Sequence, residues 1–125
     1  MTIINLGHLP PILIHGKKTI SIPACGPPLG VLADIIPRAQ TCSLLNSRLF
    51  LYTDGFTEGR LKTGKTEEVG KELGFKGFLL WLAQSRHLPI DDQMAWIQNQ
   101  CAKQLAPQSD DLTLMILSGE SMETG

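Results

Sequence analysis

The stretch Arg48-Leu49-Phe50-Leu51-Tyr52-Thr53-Asp54-Gly55 decides how the rest of the chain is arranged. Its apolar and aromatic residues predict a buried strand over 48–53, and the Asp-Gly pair predicts the end of that strand. Upstream, Gly and Pro separate short apolar runs that predict strands over 2–6, 11–15, 19–22 and 40–45. Gly16, Lys17 and Lys18 supply a polar turn, which favours a hairpin between the second and third runs.

Downstream of Gly59 the pattern changes to a helical one. Apolar residues between Phe75 and Leu82 follow the i, i+3, i+4, i+7 spacing of one helix face, and we expect this helix to end near His87. A second stripe runs from Ile90 to Leu105, with two aspartates in its first turn. A last apolar run predicts a strand over 112–117. The sequence therefore predicts an α+β fold, in which antiparallel β-sheet layers carry a two-helix insertion before the last strand.

The composition describes one compact domain. Of the 125 residues 42% are hydrophobic and 18% are charged, so we expect a folded domain over residues 1–118 and a flexible tail over 119–125. Eleven Lys and Arg stand against twelve Asp and Glu, giving a formal charge of −1. The chain therefore lacks the excess of positive charge with which proteins bind nucleic acids or anionic membranes, and we exclude both of these functions as its main role.

Other features predict a cytoplasmic location. The longest apolar run, Phe78 to Ala83, is far shorter than the roughly 20 residues that a bilayer span needs. The first basic residue is Lys17, so the N-terminus lacks the charged region of a signal peptide. Three cysteines, Cys25, Cys42 and Cys101, are too widely spaced for a disulfide framework or a zinc knuckle, and we interpret them as buried cytosolic thiols.

Two acidic corners lie at the ends of predicted strands. Asp54 and Gly55 follow the strand over 48–53, and Asp110 and Asp111 precede the strand over 112–117. If the two strands are antiparallel neighbours, the end of one and the start of the other share an edge, and Asp54 and Asp110 can reach a common cation. Carboxylate and water oxygens suit Mg²⁺ or Mn²⁺ rather than Zn²⁺. Gly55, which has no Cβ, would let the backbone approach the ion.

The two acidic corners can also be interpreted as ordinary turns that bind no metal. Asp-Gly is a common turn dipeptide, and paired aspartates before a strand often form a solvated turn. Glu58 is either a third ligand or a solvated turn residue. The three histidines, His8, His15 and His87, have no metal-ligand spacing to one another and are interpreted as structural or exposed.

Four short motifs follow one another along the chain. They are Asn5-Leu6-Gly7-His8-Leu9-Pro10-Pro11, Gly26-Pro27-Pro28-Leu29-Gly30, Leu51-Tyr52-Thr53-Asp54-Gly55-Phe56-Thr57-Glu58 and Asp110-Asp111-Leu112-Thr113-Leu114. In this order they resemble signatures of the SpoIIE/RsbU-like bacterial serine phosphatases, which belong to the metal-dependent PPM (type 2C) protein phosphatases. The resemblance covers residues 5–117, nearly the whole chain.

The resemblance implies a sandwich of antiparallel sheets flanked by helices, with a two-metal Mn²⁺ or Mg²⁺ centre. Asp54 and Asp110 match two metal-binding aspartates of the family, which makes them the implied catalytic residues. Asp111 matches the residue beside the ligand, and Gly55 adjoins the site. The implied substrates are phosphoserine or phosphothreonine on small antagonist proteins of anti-sigma circuits. A metal-activated water would attack phosphorus directly.

The family's domain begins well before the Asn-x-Gly-His motif, and its earlier half carries further acidic ligands that these residues do not contain. Two divalent cations would carry four positive charges against the carboxylates of Asp54 and Asp110, so this chain alone is expected to be weakly active or inactive. A sandwich cut between strands exposes edges and an apolar face, so we expect a homo-oligomer or pairing with the missing N-terminal half. The alternative function is a non-catalytic module that binds a regulatory protein through the helical insertion at residues 66–105.

Overall fold

The computed structural model describes residues 1–28, 30–31, 38–64, 70–107 and 111–119. The chain divides into two compact units, one formed by Met1–Leu51 with Met115–Gly125 and the other by Tyr52–Leu114. Strands occupy the first unit and helices the second, apart from the strand residues at the unit boundaries. The α+β class predicted from the sequence is confirmed, as is the placement of both long helices before the last strand.

Six strands form two sheets among the described residues. The smaller sheet pairs β1 with β4, and the larger has the order β3-β2-β5-β6. The pairs β1–β4, β2–β3 and β2–β5 are antiparallel. The strands are β1 Thr2–Ile4, β2 Ile12–His15, β3 Lys18–Ser21, β4 Ala39–Thr41, β5 Ser47–Tyr52 and β6 Leu114–Gly119.

The pairing of β5 with β6 follows from hydrogen bonds at its two ends. The Asn46 amide donates to the Gly119 carbonyl at 2.9 Å, and the Thr53 amide donates to the Thr113 carbonyl at 3.1 Å. Because residue numbers rise along β5 while those of their partners fall, the two strands run in opposite directions. The end of β5 therefore lies beside the start of β6, as the sequence interpretation required.

Apolar side chains from both sheets form the core of the first unit. Leu13 of β2, Leu49 of β5 and Ile22 are buried together, and Ile3 of β1 packs against them with three further partly buried residues, Cys42, Leu44 and Leu51. The smaller sheet thus covers part of one face of the larger one. Burial of this kind contributes about 25 cal/mol per Å² of apolar surface.

The second unit contains three helices, α1 Asp54–Thr57, α2 Gly74–Ser85 and α3 Ile90–Gln104. Pro89 precedes α3, and Asp91 and Asp92 lie in its first turn, as predicted. Gln93 is fully buried and joins α3 to α2, because its Nε2 donates to the Ser85 Oγ at 3.1 Å. None of the helices in the described residues is long and apolar enough to cross a bilayer.

Several element boundaries differ from the sequence prediction. The fourth strand ends at Thr41 instead of continuing to residue 45, because the chain turns where the Ser47 amide donates to the Leu44 carbonyl and Asn46 has a positive φ of 52°. The last strand starts at Leu114 rather than residue 112 and continues through Gly119. Residues 120–125 of the predicted tail lie outside the described residues, as does the start of the predicted insertion at 66.

Candidate functional site

Thr53 connects the two acidic corners. Besides its backbone bond to Thr113, its Oγ1 accepts a hydrogen bond from the Thr113 amide at 3.1 Å and donates one to the Asp111 carbonyl at 3.3 Å. One side chain thus ties the residue before Asp54 to Asp111, which is 58 positions later in the chain. We name this arrangement, formed by residues 53–55 and 111–113, the acidic junction.

Gly55 allows the two segments of the acidic junction to approach closely. A Cβ built on Gly55 would lie 2.6 Å from the Asp111 carbonyl oxygen and 3.0 Å from the Leu112 Cδ2. Real Cβ atoms are not found that close to a backbone oxygen, so any other residue here would push the segments apart. The sequence predicted that Gly55 would let the backbone approach an ion, which stays a prediction; the group that the structure places against Gly55 is the Asp111 peptide.

Buried aromatic rings hold the segment that carries Asp54. Tyr52 and Phe56, on either side of it, pack on Phe78 of α2 with ring centroids 4.8 and 4.9 Å apart. Such tilted pairs contribute about 0.5–1.5 kcal/mol each beyond their buried area. Burial raises the pKa of Tyr52 to about 12, so the phenol stays protonated near neutral pH. The aromatic cluster therefore supports the acidic junction by packing, and the neutral Tyr52 phenol does not serve as an anionic ligand.

The predicted site residues occupy different places in this arrangement. Asp54 is the first residue of α1 and is exposed, and Asp111, three residues before β6, is also exposed. Asp110, the second predicted catalytic residue, lies outside the described residues. Glu58 is exposed at the C-terminal end of α1, where its amide donates to the Asp54 carbonyl at 2.8 Å. The structure thus brings Asp54 and Asp111 to one junction.

The histidines and cysteines have other surroundings. His8 Nδ1 lies 2.8 Å from the Leu9 carbonyl, and His15 Nδ1 lies 2.8 Å from the Ser47 Oγ, while His87 is exposed. All three cysteines are free and partly buried, and burial raises the pKa of the Cys101 thiol. Within the described residues, no group of three or more His, Cys, Asp and Glu side chains could hold a metal ion.

The first two sequence motifs pack against each other in the strand-containing unit, where they have a structural role. Asn5 is buried, its Oδ1 accepts a hydrogen bond from the His8 amide at 3.0 Å, and its Nδ2 donates to the His8 carbonyl. Gly7 has a φ of +74°, and a Cβ there would lie 2.5 Å from the Pro28 side chain. The second motif therefore packs directly on the first. Leu29 of that motif lies outside the described residues.

The acidic junction has the donor chemistry that Mg²⁺ or Mn²⁺ prefers. Asp54 and Asp111 supply hard carboxylate oxygens, and both residues are open to water. Mg²⁺ commonly keeps several waters and uses only one or two protein carboxylates together with substrate phosphates. Asp54 and Asp111 thus offer two carboxylates of the suitable kind, which are too few by themselves for a two-metal centre.

The sequence of this chain matches a family model. Residues 1–119 match the model for stage II sporulation protein E (SpoIIE), so the chain belongs to the SpoIIE family. No curated protein matches the chain.

The fold is also similar to that of a solved phosphatase domain. The SiaA-PP2C domain of Pseudomonas aeruginosa superposes with a TM-score of 0.68 at 17% sequence identity. The match covers 90% of this chain and 44% of the other, so this chain spans less than half of that domain's length. Together, the family and the fold define a SpoIIE/PP2C phosphatase-like domain, which confirms the resemblance seen in the motifs.

Proposed function

We propose that this chain is part of a metal-dependent phosphatase that hydrolyses phosphoserine or phosphothreonine in a regulatory protein of the anti-sigma antagonist type. The observation that carries the proposal is the acidic junction, where the Thr53 hydroxyl joins the Asp54 segment to the Asp111 segment at 3.3 Å. Membership of the SpoIIE family supports phosphatase chemistry, and the exposure of both aspartates supports access for a protein-bound phosphate.

In this proposal Asp54 and Asp110 hold Mn²⁺ or Mg²⁺, and Asp111 orients the ligand beside it. The cation would polarise the phosphoryl oxygens and lower the pKa of a bound water. Thr53 fixes the separation of the two strand ends, and Gly55 keeps it short. Phosphate monoesters hydrolyse very slowly without a catalyst, so holding a cation and a water beside phosphorus would give a large acceleration.

The number of carboxylates limits what the chain does alone. Two divalent cations carry four positive charges, and Asp54 with Asp110 supplies two negative charges. We therefore propose that the chain by itself binds one cation weakly and has low activity, and that further acidic ligands complete the centre in a longer domain. The match to only 44% of the SiaA-PP2C domain chain is consistent with such a division.

The test measures Mn²⁺-dependent hydrolysis of p-nitrophenyl phosphate and of a phosphoserine peptide at high protein concentration. We expect a slow rate that needs Mn²⁺ and is lost in Asp54→Asn and in Asp110→Asn. Asp91→Asn is the matched control, because Asp91 is an exposed aspartate in the first turn of α3, outside the junction. Equal rates with and without Mn²⁺, or an unchanged rate in both junction variants, would contradict the proposal.

Isothermal titration with MnCl₂ separates metal binding from turnover. We expect the wild-type chain to bind Mn²⁺ with a stoichiometry of about one per chain, since the two carboxylates of Asp54 and Asp110 balance the charge of one divalent cation. Asp54→Asn should weaken this binding, and Asp91→Asn should leave it unchanged. If the wild-type chain takes up no Mn²⁺, the junction is not a metal site and the proposed chemistry fails.

A second candidate function is a non-catalytic interaction module, and the exposed apolar strand β6 favours it. Met115 and Leu117 of this strand are exposed although the strand carries no charged residue. A module of this kind would bind a protein partner while showing no Mn²⁺-dependent hydrolysis. The hydrolysis assay above therefore distinguishes the two functions.

A further inference from the structure

The segment that carries Asp54 depends on contacts outside itself for its shape. Helix α1 is a single turn, and so short a helix is not stable alone in water. The turn is closed where the Glu58 amide donates to the Asp54 carbonyl at 2.8 Å. Because the Asp54 side chain is exposed, the packing of its neighbours, rather than its own burial, sets the direction of its carboxylate.

Phe78 of α2 contacts the neighbours of Asp54 on both sides. Its ring centroid lies 4.8 Å from that of Tyr52, two residues before Asp54, and 4.9 Å from that of Phe56, two residues after it. Phe78 is 0% exposed, and both of its partners are buried. Aromatic pairs prefer particular orientations, so these contacts restrict the angle as well as the distance between the rings. One buried ring therefore fixes both flanks of the aspartate.

Phe78 is held in turn by the packing of α2 on α3. Trp81 and Leu82, on the same face of α2, are buried. The buried Gln93 of α3 donates through its Nε2 to the Ser85 Oγ at 3.1 Å, and the Ser85 hydroxyl donates to the Trp81 carbonyl at 2.8 Å. The ring therefore has a fixed position within the second unit, and it can serve as a reference point for the segment that packs on it.

We propose that Phe78 is a positioning residue for the cation ligand Asp54, and that it acts through Tyr52 and Phe56 rather than by touching the ion. A small divalent cation demands close to ideal ligand geometry, so a displaced carboxylate loses affinity. Replacing residues that orient metal ligands typically weakens metal binding by about 10–100-fold. The inference rests on the proposed function, because it takes Asp54 as a ligand. It adds α2, which lies outside the four motifs, to the elements that build the site.

Two variants separate positioning from simple core packing. Phe78→Leu removes the ring and keeps an apolar residue of high helix propensity, so α2 should still form. Ile97→Val is the matched control, because Ile97 is buried on α3 in the same unit and its substitution also removes apolar volume from the core. A residue that only fills the core would affect stability in both variants without a specific effect on the cation.

Two readouts test the inference on the full chain. Electron paramagnetic resonance of free Mn²⁺ gives the Kd without any turnover, and we expect Phe78→Leu to raise it about tenfold and Ile97→Val to leave it near the wild-type value. Amide hydrogen exchange without metal gives the second readout. In Phe78→Leu the Glu58 amide should exchange faster by a larger factor than the Gln93 amide, which donates to the Pro89 carbonyl at 2.8 Å in α3.

Three results would overturn the inference and leave the proposed function intact. They are a folded Phe78→Leu variant with the wild-type Kd, an Ile97→Val variant whose Kd rises as much, and equal acceleration of the two amides. A wild-type chain that binds no Mn²⁺ would instead remove the proposed function, and this inference with it. If circular dichroism shows that Phe78→Leu does not fold, Phe56→Leu takes its place, because it removes one of the two ring contacts. An unchanged Kd in that variant would also overturn the inference.

Discussion

Replacing Thr53 by valine removes the hydroxyl that joins the acidic corners while keeping the shape of the side chain. The change deletes two hydrogen bonds, one accepted from the Thr113 amide at 3.1 Å and one donated to the Asp111 carbonyl at 3.3 Å. Each such bond contributes about 0.5–1.5 kcal/mol. Because the site is partly exposed, water can form hydrogen bonds with the two backbone groups that lose their partner, and this recovers part of the lost free energy. We expect Thr53→Val to lower the free energy of unfolding by about 1–2 kcal/mol.

Urea unfolding followed by tryptophan fluorescence measures this loss. With a slope of roughly 2 kcal/mol/M, in the middle of the usual range for small proteins, the urea midpoint should fall by about 0.5–1 M. Thr53→Ser keeps the hydroxyl and serves as the control, and its midpoint should lie close to that of the wild type. If valine is tolerated as well as serine, the hydroxyl does not hold the strand ends together, and the description of the acidic junction is wrong.

Three other changes test neighbouring features. Gly55→Ala places a Cβ 2.6 Å from the Asp111 carbonyl oxygen, so we expect a loss of about 1–3 kcal/mol and weaker Mn²⁺ binding, measured by thermal unfolding with and without MnCl₂. Tyr52 has a pKa of about 12 in the folded chain and 10.0 as its ordinary value, so its stabilisation is complete below pH 10 and is lost as pH rises toward 12. Melting temperatures over that range should fall less steeply in Tyr52→Phe. Gln93→Leu removes the buried bond to Ser85 and should cost about 1–2 kcal/mol in urea unfolding, and an unchanged midpoint would show that the bond is not stabilising.

Local signals in the sequence predicted much of the fold. The turn residues Gly16 and Lys17 placed the β2–β3 hairpin, and the apolar stripe from Ile90 with two aspartates in its first turn placed the start of α3. The last strand was found as an apolar run, but its start was placed two residues early. The reason is that Thr113 is held by the side chain of Thr53, and nothing in the composition of residues 112–117 reveals such a bond.

The helix α1 was missed for a related reason. Asp54-Gly55 has the composition of a turn, and the sequence was interpreted as one. In the structure Phe56 packs on Phe78, which is 22 positions away, and this contact stabilises one helical turn at the end of β5. The packing depends on where α2 lies, and the periodicity of residues 54–57 contains no information on that.

The candidate site also has a part that the sequence predicted and a part that only the structure shows. Asp54, Gly55 and Asp111 were identified from the sequence, and the structure brings their segments together. The role of the Thr53 hydroxyl in joining the two segments was not predicted, although Thr53 lies within the third motif. A threonine at the end of a strand is common, and its partners are known only once β5 and β6 are placed side by side.

The most direct measurement is the anomalous diffraction of crystals soaked in MnCl₂. We expect one manganese peak within direct coordination distance of carboxylate oxygens of both Asp54 and Asp110, at about 2.1 Å as for a small divalent cation bound by oxygen. The peak should be absent from crystals of Asp54→Asn. Manganese bound elsewhere, or carboxyl groups of residues 54 and 110 that point to separate regions of solvent, would contradict the metal-dependent function proposed for this chain.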